Sequence, residues 1–156
     1  MKASPFHVVL IHPEIPGNTG NIGRLCHGIG ATLHLVHPLG FNTDDKAARR
    51  AGLDYWANLE RVEHDNVEAF LLWAEGRQVH LFTTTGEASF TSAPFKEGDV
   101  LLFGSESKGV PDHIMERFNR YIIPMPGPIR SLNLANSVGI VAYEALKTVR
   151  PNIFGL

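Results

Sequence analysis

Three polar segments of the chain combine the residue types from which a ligand site can be built. They cover residues 18–24 (NTGNIGR), 103–109 (FGSESKG) and 130–137 (RSLNLANS). Glycine lets the backbone approach a ligand closely in the first two, and a Pro/Gly-rich turn precedes the third. Each segment also carries small polar side chains and one or two fixed charges. No segment contains a Ser-His-Asp order or a carboxylate pair, so the residues favour a group transfer that depends on positioning over hydrolysis by acid–base chemistry.

Three familiar motifs can be compared with these segments. Residues 17–23 have the spacing GxxGxxG instead of GxGxxG, and they follow the nearest predicted strand by several residues, which weakens a dinucleotide-binding interpretation. Residues 104–109 have the GxxxxG spacing, but Val110 and Pro111 occupy the positions where a P-loop requires Lys and Ser or Thr. Ser107 is not part of a GxSxG nucleophile elbow. A P-loop is therefore excluded, and a generic nucleotide-binding Rossmann module remains a weak alternative.

The composition is that of one soluble domain spanning residues 1–156. Of the 156 residues, 44% are hydrophobic and 19% are charged, as in ordinary globular proteins. The apolar runs are too short to span a membrane or to form a signal peptide. A single cysteine, Cys26, excludes an internal disulfide and a CxxC motif. We therefore expect a cytoplasmic protein with no membrane partner.

The charge and the histidine content exclude two further classes of protein. A formal net charge of −2 argues against a protein that coats nucleic acid, although it allows a local basic face. The eight histidines include no HxH or HxxxH pair on one element, so we expect no metal site.

The apolar pattern predicts an α/β fold with a mostly parallel sheet. Strands are predicted at residues 7–12, 31–38, 79–84, 99–103 and 121–124, and helices at 21 to about 28–30, 46–51, 65–74, 111–118 and 138–149. The strands are continuous apolar runs that alternate with helices, which is typical of a parallel sheet covered on both faces. Ligands bind beyond the carboxyl ends of such strands. The candidate site therefore lies in the loops at 13–21, 84–90, 104–111 and 124–131.

The stretch 120–146 combines a strand, a candidate ligand-binding loop and a helix. A short apolar strand leads into a turn with three prolines and one glycine, then into the polar cluster 130–137 and an apolar helix. Backbone N–H groups at a helix start lack partners within the helix, so the cluster could bind a ligand. Ser131 or Asn133 could equally serve only to cap the helix. The two interpretations remain open on local grounds.

Taken together, the three segments resemble the three motifs of the SPOUT class of S-adenosylmethionine-dependent RNA methyltransferases. The closer resemblance is to the tRNA 2′-O-ribose methyltransferases that act at the wobble nucleotide, the TrmL type. It extends to the stretches PEIPGNTGNIGRLC, HPLGFNTDDKAARRAGLDY and RSLNLANSV, which occur in that order. The resemblance covers nearly the whole chain.

This resemblance implies a fold and a reaction that periodicity alone does not give. The fold would carry a deep C-terminal trefoil knot. The chain would transfer a methyl group from S-adenosyl-L-methionine, leaving S-adenosyl-L-homocysteine, to the ribose 2′-hydroxyl of cytidine or a modified uridine at tRNA position 34. The partners would be tRNA, not DNA, and a second copy in a homodimer that completes the active site. The alternatives are another tRNA or rRNA site for the same chemistry, or a knotted RNA-binding protein that has lost catalysis.

The resemblance also assigns residues, position by position. It places the cofactor at Phe82, Thr83, Gly104, Ile123, Ser131 and Leu132. It assigns the catalytic group to Arg24, Glu106, Ser131 and Asn133. With the basic stretch at 46–50, it suggests that RNA phosphates are bound by Arg24, Lys46, Arg49, Arg50, Lys108 and Arg130. Read without the resemblance, Arg24 is a surface arginine, Glu106 a loop charge beside Lys108, and the basic stretch a solvated helix face.

Overall fold

A computed structural model describes residues 3–44 and 53–156. Its seven strands form one sheet in which all pairings are parallel, in the order β3-β2-β1-β6-β4-β7-β5. The strands are β1 Phe6–Ile11, β2 Thr32–Val36, β3 Arg61–His64, β4 Val79–Phe82, β5 Ala88–Ser89, β6 Asp99–Phe103 and β7 Asn119–Ile122. The predicted parallel α/β sheet is thus confirmed.

Two of the strands, β3 and β5, were not predicted from the sequence. Strand β3 lies at the edge of the sheet. Only His64 of this strand is buried, and Val62 is exposed, so the sequence contains no apolar run that predicts the strand. Strand β5 has only two residues, and neither is buried. Both lack the continuous apolar pattern that marked the five central strands, because an edge strand buries little of its surface.

The α-helices are α1 Pro16–Ile29, α2 Val67–Ala74, α3 Asp112–Met115 and α4 Leu134–Val149. The prediction of a loop over 13–21 was wrong for residues 16–21, which form the first turns of α1. Pro16 occupies a position at the helix start where the missing N–H costs nothing. Glycine and asparagine weaken the local helix preference, but Asn18, Thr19 and Gly20 are buried, so tertiary contacts override it. The basic helix predicted at 46–51 lies outside the described residues.

Helices cover both faces of the sheet, as predicted. Helices α1 and α4 pack on one face, where Ile22, Cys26, Val141 and Ala145 belong to a core that includes Leu10. Helices α2 and α3 pack on the other face through residues that include Val67, Phe70 and Ile114. No helix among the described residues is long and apolar enough to cross a bilayer.

The chain crosses itself near the carboxyl ends of the last strands. Strand β7 lies between β4 and β5, so the loop that joins β4 to β5 must pass across β7. In this loop, a Cβ on Gly86 would lie 2.3 Å from the carbonyl carbon of Tyr121, so only glycine fits there. The crossing brings the ends of β4 and β7 together beside the end of β6.

Candidate active site

A cavity of about 550 Å³ opens at the carboxyl ends of β4, β6 and β7. Its size lies within the range of small-molecule sites. All six residues predicted to hold the cofactor line it: Phe82, Thr83, Gly104, Ile123, Ser131 and Leu132. The six positions predicted from the family resemblance are as much as 50 residues apart in the chain, and the fold places all of them at one cavity.

One wall of the cavity is a tight turn after β6. The backbones of Ser105 and Gly109 exchange two hydrogen bonds of 3.0 Å. A Cβ on Gly104 would lie 2.3 Å from the carbonyl carbon of Gly109, and Gly109 itself has a φ of 65°. The turn therefore requires both glycines, and it presents backbone groups to the cavity.

The opposite wall is the start of α4. Asn133 caps this helix, because its Oδ1 accepts hydrogen bonds from the backbone N–H groups of Ala135 (2.9 Å) and Asn136 (3.3 Å). The capping interpretation of Asn133 is thus confirmed, whereas the side chain of Ser131 does not cap α4. The Nδ2 group of Asn133 donates to Oδ1 of Asn18, 3.0 Å away. The cap is therefore also a link to α1.

Glu106 joins the remaining motif to the same network. Its Oε1 accepts from the backbone N–H of Glu14 (2.8 Å), and its Oε2 accepts from the backbone N–H of Ile15 (2.9 Å) and from Nδ2 of Asn18 (3.1 Å). Three N–H donors from the start of α1 thus occupy both oxygens of this carboxylate. Glu106 thus has the geometry of a positioning residue. These contacts do not support the interpretation that Glu106 is a loop charge paired with Lys108.

Glu14 completes the contact in the opposite direction. Its carboxylate accepts from the Ser107 hydroxyl (2.7 and 2.9 Å) and from the Ser107 backbone N–H (3.1 Å). The Ser107 hydrogen bonds lower the pKa of the Glu14 carboxyl below its ordinary value. Asn18, Glu106 and Asn133, with Glu14 and Ser107, thus tie all three polar segments together, and we call these five residues the motif network.

The predicted cations do not all meet at the cavity. Lys108 and Arg130 are exposed and line it. Arg24 is also exposed but is not among the lining residues; it lies on α1 beside Tyr55, whose hydroxyl donates to the carbonyl of Gly20. Lys46, Arg49 and Arg50 lie outside the described residues.

Several lining residues were not predicted as site residues. Asn18 was missed although it opens the NTGNIGR segment, and this position was the signal that could have identified it. Thr84, Met115 and Met125 also line the cavity, and no local pattern distinguishes them in the sequence. Methionine adapts to irregular apolar surfaces, so the two methionines suit the wall of a site for a flexible ligand.

Among the described residues, no group of three or more His, Cys, Asp or Glu side chains is arranged to hold a metal ion. The donors around the cavity are instead backbone groups, hydroxyls, amides and two cations. This set suits a ligand that offers a purine ring, a ribose and charged ends.

Comparison with known proteins agrees with the geometry. Residues 5–143 match the SpoU rRNA Methylase family. A tRNA (cytidine(34)-2′-O)-methyltransferase from Methylovorus glucosotrophus is 47% identical over 143 residues, which are 90% of this chain and 93% of that protein.

Two solved structures extend the comparison. One, described as giving structural insights into the 2-OH methylation of C/U34 on tRNA, superimposes with a TM-score of 0.87 at 47% identity and covers 97% of each chain. An AdoMet-bound rRNA methyltransferase from Sinorhizobium meliloti superimposes with a TM-score of 0.83 at 27% identity, over 93% of this chain and 58% of that one. The family predicted from the three segments is confirmed: the chain belongs to the SpoU rRNA methylase family.

Proposed function

We propose that this protein transfers a methyl group from S-adenosyl-L-methionine to the ribose 2′-hydroxyl of the wobble nucleotide, cytidine or modified uridine 34, of tRNA. The observation that carries the proposal is that one cavity is lined by the six predicted cofactor positions and by four residues of the motif network, Asn18, Glu106, Ser107 and Asn133. The names of the two most similar proteins described above point to the same reaction, and this chain aligns with nearly the whole length of each.

The residues of the cavity fit this cofactor. Gly104 has no side chain and lets the backbone of the Ser105–Gly109 turn form one wall of the cavity, while Phe82, Leu132 and Ile123 supply apolar walls for the adenine. When bound, the cofactor supplies a sulfonium-activated methyl group, which is already a strong electrophile. The protein must therefore position the 2′-hydroxyl and exclude competing nucleophiles more than it must activate the methyl group.

The polar residues take distinct parts in this reaction. Ser131 lies in the cavity and could contact substrate directly, whereas Asn133 and Glu106 fix the positions of the surrounding loops. Arginine holds its proton too tightly to be a base. We assign Arg24 to binding the target phosphate and polarising the 2′-hydroxyl, with a phosphate oxygen or water accepting the proton.

Because Arg24 does not line the cavity of its own chain, the proposal includes a homodimer in which each chain supplies Arg24 to the partner's site. The exposed apolar side chains of α4 and the C-terminal segment support such an interface: Ile140, Tyr143, Ile153, Phe154 and Leu156. The buried apolar side chains of helices α1 and α4 pack inside the chain, so the exposed ones are those available to a partner. Light scattering at micromolar concentration should report twice the mass of 17.2 kDa; a monomer would contradict the dimer.

The RNA would be bound through local positive charge. Lys108 and Arg130 flank the cavity, and Lys46, Arg49 and Arg50 are proposed to extend the surface. A 2′-hydroxyl acceptor distinguishes RNA from DNA. We further propose that the strand crossing at Gly86 is part of a C-terminal trefoil knot and that the protein acts in the cytoplasm. The order β4-β7-β5 supports the knot, since β7 lies between two strands that are joined by one loop.

A labelled-methyl assay tests the function. The protein is incubated with methyl-labelled S-adenosylmethionine and tRNA that carries either a ribose or a 2′-deoxyribose at nucleotide 34. We expect label in the first tRNA and none in the second. Equal labelling of both would overturn the wobble ribose as the target.

The match to a family described by rRNA methylation supports a second candidate, the same transfer to ribosomal RNA. Adding ribosomal RNA to the assay separates the two. Methylation of ribosomal RNA with no methylation of tRNA would favour this candidate, and failure to bind S-adenosylmethionine would favour a catalytically silent RNA-binding protein.

A further inference from the structure

Two glutamates of the motif network bind crosswise between the start of α1 and the turn after β6. Glu106 from the turn accepts the backbone N–H groups of Glu14 and Ile15, at 2.8 and 2.9 Å. Glu14, in return, accepts the hydroxyl and the backbone N–H of Ser107, at 2.7 and 3.1 Å. Each carboxylate thus satisfies donors on the segment that carries the other, and we call this arrangement the crossed clasp.

The two halves of the clasp are not equivalent. Glu106 lines the cavity and also accepts from Asn18, so its removal would disturb several segments at once. Glu14 does not line the cavity, and its carboxylate accepts hydrogen bonds from the Ser107 hydroxyl and the Ser107 backbone N–H. A substitution of Glu14 therefore tests the attachment of the turn without changing a residue that lines the cavity.

The turn needs such an attachment. It follows a buried strand but is itself exposed at Ser107, Lys108 and Gly109. Its internal bonds are the two between the Ser105 and Gly109 backbones and those of the Ser105 hydroxyl, which accepts from the Lys108 N–H (3.1 Å). These bonds fix the shape of the turn, but they do not fix its distance from α1. The crossed clasp does, because each glutamate reaches from one segment to the other, and the Glu14–Ser107 contact is the half that Glu14 supplies.

We propose that Glu14 is a positioning residue that holds the cofactor-binding turn against the start of α1. This inference rests on the proposed function, since the cavity must bind S-adenosylmethionine for the position of the turn to matter. Glu14 acts through Ser107, and the consequence is a cavity whose wall is set before the ligand arrives. Preorganisation of this kind strengthens binding, because less freedom is lost on association.

Four variants test the proposal: Glu14→Ala, Glu14→Gln, Ser107→Ala and the double variant Glu14→Ala/Ser107→Ala. Glu14→Ala should raise KM for S-adenosylmethionine by about three- to tenfold at saturating tRNA while kcat changes by less than about twofold, because a ground-state binding contribution is lost. Glu14→Gln retains an acceptor oxygen for Ser107, so it should restore part of the loss. The double variant should be no worse than Glu14→Ala, since both changes remove the same contact.

Glu75→Ala is the matched control, because Glu75 is an exposed glutamate at the end of α2. It should leave KM and kcat unchanged. Amide hydrogen exchange adds a second readout that needs no cofactor: exchange at residues 105–109 should be faster in Glu14→Ala than in Glu75→Ala. A purely global loss of stability would instead speed exchange throughout the chain.

The outcomes separate this inference from the proposed function. If the wild type binds S-adenosylmethionine and Glu14→Ala shows unchanged KM and unchanged exchange, the positioning role is wrong and the function stands. Additive losses in the double variant would also overturn it. If the wild type does not bind S-adenosylmethionine, the proposed function and the cofactor role of Glu14 both fail, while exchange still decides whether Glu14 holds the turn.

Discussion

Two clusters of polar side chains in this protein have different structural roles. The motif network joins loops at the carboxyl ends of the strands, and it contains charged carboxylates with several donors each. The second cluster lies under α2 on the opposite face and consists of three histidines. Nδ1 of His7 lies 2.9 Å from Nε2 of His34, and Nδ1 of His34 lies 2.9 Å from Nε2 of His64. We call these residues the histidine row.

The histidine row crosses the sheet diagonally from β1 to β3, beneath Trp73. Burial, aided by repulsion from His7 and His64 when they are protonated and from Arg77, lowers the pKa of His34 to about 3. Burial is also the main cause that lowers the pKa values of His7 and His64. The row is therefore neutral at ordinary pH, and each ring can donate to the next.

The two clusters differ in charge and in hydrogen-bond partners, and this difference determines what each can do. Charges with complete sets of donors hold loops in a fixed geometry around a cavity, as an active site requires. Neutral rings in a row satisfy one another inside the core and offer nothing to a ligand. We therefore expect changes in the motif network to alter cofactor binding and catalysis, and changes in the histidine row to alter stability alone.

The largest effect is expected for Gly104→Ala. The new Cβ would overlap the Gly109 backbone at 2.3 Å, which a rotamer change cannot relieve. We expect no detectable S-adenosylmethionine binding in calorimetry. The control is Gly28→Ala in α1, where a Cβ meets nothing within 4 Å; it should bind normally and gain about 0.5–1 kcal/mol in its free energy of unfolding. Normal binding by Gly104→Ala would show that the turn can move.

The next effect concerns Glu106→Gln. Loss of the charge weakens three N–H donor bonds, and one amide hydrogen would face donors instead of acceptors. We expect methyl transfer to fall by about 30- to 100-fold, corresponding to about 2–3 kcal/mol for bonds to a charged group. Glu63→Gln at the sheet edge is the control and should retain activity. If Glu106→Gln kept full activity, the network would not position the site.

The histidine row predicts a pH dependence of stability. The unfolded chain binds a proton at His34 with a pKa of 6.5, whereas the folded chain binds it only near 3. The unfolded state therefore binds more protons between these values, so the free energy of unfolding should fall as the pH falls from 6.5 toward 3. We expect a loss on the order of 3 kcal/mol by pH 4 from this group.

Urea unfolding at a series of pH values measures this loss. His34→Gln should flatten the curve over that window, while its binding of S-adenosylmethionine at pH 7.5 should equal that of the wild type. A His34→Gln curve parallel to the wild type would assign the acid sensitivity to other groups.

The smallest effect separates the two roles of Asn133. Asn133→Ser keeps a good helix cap but loses the donor to Asn18, so stability should fall by only a few tenths of a kcal/mol. Asn133→Ala loses both and should cost about 1 kcal/mol. Thermal unfolding measures this difference, and both variants should bind S-adenosylmethionine more weakly than the wild type. Normal binding by Asn133→Ser would mean that the link between α1 and α4 is dispensable.

The sequence predicted much of this arrangement. Continuous apolar runs identified the five inner strands, because buried parallel strands must be apolar on both faces. The resemblance, carried by the Asn-, Gly- and Ser-rich segments, predicted six cofactor positions, and all six line the cavity. Residue type predicted that Ser131 or Asn133 could cap the last helix, and the structure shows that Asn133 is the cap.

Other features depend on contacts between distant parts of the chain. The early start of α1 was missed because its glycines and asparagines disfavour a helix locally, whereas Glu106, about 90 residues away, satisfies the N–H groups just before it. No local pattern shows that three donors occupy the Glu106 carboxylate, so this contact could not be predicted from the sequence. The histidine row was read as scattered residues, because its members are 27 and 30 positions apart.

The most direct test of this account is a calorimetric titration of S-adenosylmethionine into the wild type, Glu106→Gln and His34→Gln at one pH. We predict one site per chain in the wild type, an unchanged Kd in His34→Gln and a Kd at least about tenfold weaker in Glu106→Gln. No binding by the wild type, or equal Kd values for Glu106→Gln and the wild type, would contradict the claim that the motif network builds the cofactor site.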